Sequence, residues 1–84
     1  MRNKQVKIAT TRQPGEVLDV VVEYVVIDPL FKAAICRYSE TEMYAVFYQI
    51  DNVTPEVGTK GTITILSPTT WRFDPLVSVG SGQR

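Results

Sequence analysis

An all-β fold is the reading this sequence supports: a small, partly open barrel of about five to six strands, SH3-like in preference to OB-like. Three observations lead there. The run from Glu16 to Asp28 alternates over a long stretch rich in β-branched residues. The run from Glu42 to Ile50 combines aromatic and β-branched residues. Short apolar runs are separated throughout by Pro, Gly, Ser and Asp, the residues of turns. Closing such strands into a barrel removes edges that would otherwise aggregate. A long bent second strand, a central hairpin and a short last strand suit the SH3-like order, with a two-layer sandwich as the alternative.

The elements follow in order. Lys4 to Thr10 alternates polar and apolar residues as a half-buried strand does, and Pro14 and Gly15 end it. In Glu16–Asp28, Leu18, Val20, Val22, Tyr24 and Val26 recur at period two and define one face. Val17, Asp19, Val21, Glu23, Val25 and Ile27 take the other, with charge on only part of it. Two readings compete from Asp28 to Tyr38. Asp28 followed by Pro29 is a helix-start signature, and Leu30 with Ala34 and Phe31 with Ile35 share a helical spacing. Against this, Ala33–Tyr38 leads through Ser39, Glu40 and Thr41 into Glu42–Ile50 with the spacing of a hairpin. The hairpin is favoured, with room for one short helix or 3-10 turn. Along Glu42–Ile50 one face carries Tyr44, Val46, Tyr48 and Ile50 and the other Met43, Ala45, Phe47 and Gln49. Asp51–Gly58 reads as a loop in which Val53 and Val57 pack as a lid. Thr59–Leu66 is a strand entered by a turn containing Gly58 and Gly61, and Thr70–Phe73 is a short strand with Trp71 and Phe73 turned into the core.

A chain of 84 residues holds one hydrophobic core. Residues 1–76 are therefore read as a single domain and 77–84, rich in Ser and Gly, as a flexible tail. Nine basic and nine acidic residues give a formal charge of zero, which removes any whole-molecule attraction to nucleic acid. Bases cluster early (Arg2, Lys4, Lys7, Arg12) and acids follow (Glu16, Asp19, Glu23, Asp28), which predicts two adjacent strands of opposite sign. The first fifteen residues hold no apolar run of signal-peptide type, and no stretch is long enough to cross a bilayer. A cytoplasmic protein is expected.

The chain has one cysteine, Cys36, and no histidine. The usual zinc sets and the histidine-dependent catalytic arrangements are thereby excluded, and no metal or other cofactor is expected. Cys36 has Arg37 beside it in sequence, which cannot serve as a base, so it reads as a core residue. Glu40 and Glu42 flank a turn and Asp51 stands by a loop, as solvated charges do. No phosphate-binding loop is present, because Gly58 and Gly61 lack its spacing. The expectation is therefore a non-catalytic module rather than an enzyme. Strands apolar on both sides are either central in a closed structure or covered by another chain. This points to a module that binds another protein, with self-association to a homo-oligomer as a variant, through Val21, Val25, Met43, Ala45 and Phe47. The alternative is single-stranded nucleic acid held by Lys32, Arg37, Tyr44, Tyr48 and Arg72, with aromatic rings stacking bases and cations following phosphates.

Overall fold

The computed structural model describes residues 5–76, so the tail read over 77–84 lies outside the described residues. The fold is all-β: one six-stranded mixed sheet, and no helix among the described residues. Its strands are β1 (Gln5–Lys7), β2 (Val17–Ile27), β3 (Lys32–Arg37), β4 (Glu42–Tyr48), β5 (Lys60–Ser67) and β6 (Thr70–Pro75). In space they run β1-β4-β3-β2-β5-β6. All neighbours are antiparallel except β1, which lies parallel to β4 with Val6 opposite Met43. The expected pairing of a basic first strand with the acidic second does not occur. Instead Arg12, in the connection after β1, carries the attraction by pairing with Glu16 and Glu42.

The stretch after Asp28 is a turn and then a strand. Asp28 does cap, but it caps a turn: its Oδ1 accepts from the Leu30 backbone N–H at 3.0 Å, and its own N–H donates to the Phe31 carbonyl. Asp and Pro start a tight turn as readily as a helix, and the β-strand partners on both sides of β3 decide the outcome.

β2 serves two partners in succession. Its first half pairs with β5, from Val17 opposite Thr64 to Val21 opposite Lys60. Its second half pairs with β3, and between Val22 and Tyr24 the register shifts, which leaves Glu23 as an inserted residue. A bulge of this kind bends the strand and turns every later side chain to the opposite face. The period-two face expected from sequence is thus corrected: Leu18, Val20 and Val22 point inward, the inward series continues at Val25, and Tyr24 and Val26 point outward. Arg37 holds the bulged residue, its Nε donating to Glu23 Oε1 at 2.6 Å.

With this bend the sheet curls over one core. Leu18, Val20, Val22, Ala34, Cys36, Tyr44, Val46, Ile63 and Ile65 are buried inside, and Val25, Tyr48, Trp71 and Phe73 pack against them. The curl brings β6 back to β4: Trp71 Nε1–H donates to the Ala45 carbonyl at 3.0 Å, and its ring meets Tyr44 edge-on at 5.0 Å between centroids. The sheet stays open, with β1 and β6 at its ends. Gly61 sits inside β5 rather than in the turn, where Gly58 alone has positive φ, at 94°. Val53 and Val57 do not form a lid. Both are exposed.

Candidate interaction surface

The outer face of the sheet divides into two halves. Directly paired residues on antiparallel strands share a face, so the register gives the rows across β2, β3 and β4. One row is Tyr24, Ile35 and Ala45, and the next is Val26, Ala33 and Phe47. Val21, Arg37 and Met43 form the row before them, with Val6 beyond Met43 on β1. Across β5 and β6 the outer rows are mostly polar: Asp19, Thr62 and Asp74, then Thr64 and Arg72 beside an exposed Val17 on β2. Small residues in the apolar half keep its floor low. Ala33, Ile35, Met43 and Ala45 are buried there, with Val6 and Phe31 packed against them.

Large rings and a branched chain rise around that floor. Phe47 is 59% exposed, Tyr24 41% and Val26 40%. Phe31, from the turn between β2 and β3, meets Phe47 edge-to-face at 5.5 Å and 72°, which holds both rings over the alanines. Beside this patch, past Val21, lies a cleft of about 460 Å³ whose walls include Asp19, Arg37, Lys60 and Asp74, with Pro75 and Leu76 at one end. An apolar centre bordered by charges of both signs is the usual make-up of a protein-binding surface.

The expected protein-binding residues thus separate. Phe47 stands exposed on the outer face and Val21 is half-buried on it, while Met43 and Ala45 form the floor between them. Val25 is turned to the inner core by the bulge. Tyr24, Val26 and Phe31 were not among the expected residues. The signal for Phe31 is its place one turn from Phe47 in the hairpin, whereas nothing in a run of valines marks the inserted residue that brings Tyr24 and Val26 outward.

The residues of the nucleic-acid alternative do not share a surface. Tyr44 is wholly buried, and Tyr48 packs against the core, where burial raises its hydroxyl pKa. Lys32 lies on the inner face at the mouth of the sheet, opposite Tyr48, with its Nζ on the Asn52 carbonyl at 2.8 Å. Arg37 is on the outer face with Glu23, and Arg72 is on the last strand with Asp74 at 2.9 Å.

Two groups with chemical potential, Cys36 and Glu42, are enclosed or paired within the fold. Cys36 is fully buried, and desolvation pushes its thiol up to about 12. Glu42 receives a two-pronged hydrogen bond from Arg12, Nε to Oε2 at 2.8 Å and Nη2 to Oε1 at 3.0 Å. The Arg12 contact outweighs burial and holds the Glu42 carboxyl below the ordinary carboxylate range. Tyr44 also donates to Glu42 and lies 3.3 Å from the Thr10 hydroxyl, while Arg12 Nη1 reaches Glu16 at 3.0 Å and its guanidinium lies 5.0 Å from the Tyr38 ring centre. The network ties the connection between β1 and β2 to β4. Among the described residues no cluster of three metal-ligating side chains occurs, and no helix is long and apolar enough to cross a membrane. Comparison of the chain with protein-family models, curated proteins and solved structures finds no match.

Proposed function

We propose that this domain is a non-catalytic module that binds another protein through the outer face of β2, β3 and β4. The curled sheet, bridged from β6 to β4 by Trp71, acts as a small partly open barrel of the SH3-like kind and supports that face. The observation that carries the reading is the division of the outer face. Tyr24, Val26, Phe31 and Phe47 are gathered over a buried floor of Ala33, Ile35, Met43 and Ala45, while the same face of β5 and β6 carries Thr62, Thr64, Arg72 and Asp74. A monomeric domain has no energetic reason to keep three large apolar groups at this exposure in one place. Such groups become the buried anchors of an interface, where aromatic residues carry most of the binding energy. The scattering of Lys32, Arg37 and Arg72, together with the burial of Tyr44, favours a protein over a nucleic acid as the partner.

Co-purification from the native source tests this, using the wild type and Phe47→Asp side by side. The expected result is a protein recovered with the wild type and absent from Phe47→Asp, with no shift of single-stranded DNA or RNA at low ionic strength, where phosphate contacts are strongest. Recovery of the same protein with both forms, or salt-sensitive binding of nucleic acid, refutes the proposal.

A further inference from the structure

We propose that β6 is a self-pairing edge, by which two copies of this domain join antiparallel about a two-fold axis at Phe73. β6 is the last strand of the sheet, and among the described residues no strand pairs with its outer edge. Which of its backbone groups face that edge follows from the ladder. The Leu76 N–H donates to the Lys60 carbonyl at 2.7 Å, in phase with the register of β5 and β6. Hydrogen-bonded and non-bonded pairs alternate along an antiparallel ladder. Asp74 and Arg72 therefore bond to β5, whereas the N–H and C=O groups of Trp71 and Phe73, and the carbonyl of Pro75, point to the open side. Pro75 fits this phase, because a proline there sacrifices no ladder bond.

The side chains make the edge complementary to itself. Arg72 and Asp74 stand on the outer face on either side of Phe73, 60% and 51% exposed, and pair with each other within the strand at 2.9 Å between Nε and Oδ2. When a second β6 is laid antiparallel with Phe73 against Phe73, each Phe73 donates its N–H to the other's carbonyl. Arg72 then falls opposite Asp74 of the second copy, and Asp74 opposite its Arg72. Opposite charges directly across a ladder attract. A protective edge usually carries charge of one sign to repel its own copies, and this one carries both signs in the order that an antiparallel copy matches. Trp71 is engaged with β4 and Pro75 lacks an N–H, so the contact is short. The dimer is therefore weak and concentration-dependent.

This pairing uses a surface separate from the outer face of β2, β3 and β4, and its test separates the two. Sedimentation of the wild type up to millimolar concentration at low salt is expected to show a reversible dimer, which Phe47→Asp retains. Arg72→Asp and Asp74→Arg each set like charges opposite one another and should weaken dimerisation about tenfold or more. Mixing the two variants restores a dimer, and so does combining both substitutions in one chain. Thermal melts confirm that each variant is folded, which exposed positions permit, and Arg72→Ala gives a milder loss in the same direction. A wild type that stays monomeric throughout, or single variants that dimerise as well as the wild type, overturns the proposal. So does a mixture no more associated than its components.

Discussion

Replacing Gly61 with alanine sets two effects of opposite sign against each other. In a strand whose backbone an L-residue can adopt, Gly→Ala stabilises by roughly 0.4–1 kcal/mol, because the unfolded chain loses freedom. Gly61 lacks positive φ, so backbone conformation presents no obstacle. The neighbours do. A Cβ built at Gly61 would lie 2.7 and 2.8 Å from Cε1 and Cζ of Phe73 and would also press on the Asp74 carbonyl oxygen. Phe73 pairs with Ile63 and leans toward the Pro75 end of β6 to cover the glycine, an aromatic ring taking the space a side chain would fill. The ring can tilt only by giving up core contacts, and the Asp74 carbonyl belongs to the backbone of the adjacent strand. Overpacking of this kind costs about 1–3 kcal/mol. The net expectation is a loss of about 1–2 kcal/mol, with the melting temperature falling about 4–8 °C for each kcal/mol in a domain of this size. Circular dichroism melts and urea titrations measure it, with Trp71 fluorescence as a second probe. In the double variant with Phe73→Leu, part of the cost should disappear, since the ring is part of the clash. A Gly61→Ala protein as stable as the wild type or more so would refute the packing described for β5 and β6.

The remaining expectations concern the polar network, the thiol and the strand that bridges the sheet. Arg12 holds Glu42 below its ordinary value of 4.5, and a backbone hydrogen bond from Gln13 does the same for Glu16, so stability is full above that value and is lost as pH falls through the depressed folded values. Melting temperature against pH should show this acid limb. Glu42→Gln should flatten it and lower stability at neutral pH by about 1–2 kcal/mol, since a charge-assisted pair is broken in a partly buried site. Cys36, with its thiol at about 12, should resist alkylation in the folded protein at mildly alkaline pH and react on unfolding; rapid labelling under native conditions would contradict its burial. Trp71→Phe keeps an aromatic ring but loses the bond to the Ala45 carbonyl, at about 1 kcal/mol. Trp71→Ala should cost about 3–5 kcal/mol and unfold much of the population at 37 °C.

What the sequence disclosed about this fold is local in character. The strands Val17–Ile27 and Glu42–Tyr48 fall within the runs whose alternation announced them, and the two faces of β4 divide as the pattern implied, with Tyr44 and Val46 inside and Met43, Ala45 and Phe47 outside. Trp71 and Phe73 pack on the core as expected. The misplaced features depend on partners distant in the chain. β1 pairs with β4 because Val6 finds Met43 across the sheet, a contact that no local pattern encodes. The bulge at Glu23 is invisible among β-branched neighbours, since a run of valines is equally apolar in either register. That one insertion sent Val25 inward and brought Tyr24 and Val26 outward, so the outer surface was legible as an apolar excess but not in its membership. Arg12 looked like one charge in a basic start. Only the fold brings it to Glu42, Tyr44 and Tyr38.

Site-specific photo-crosslinking of the co-purified partner is the most direct test of the outer face. A photoreactive phenylalanine is placed in turn at Phe47, at Tyr24 and at Thr64, the last on the polar half of the same face. Adducts from positions 47 and 24, with none from 64, are expected of an interface centred on β2, β3 and β4. Adducts from 64 alone, or equally from all three, would contradict it.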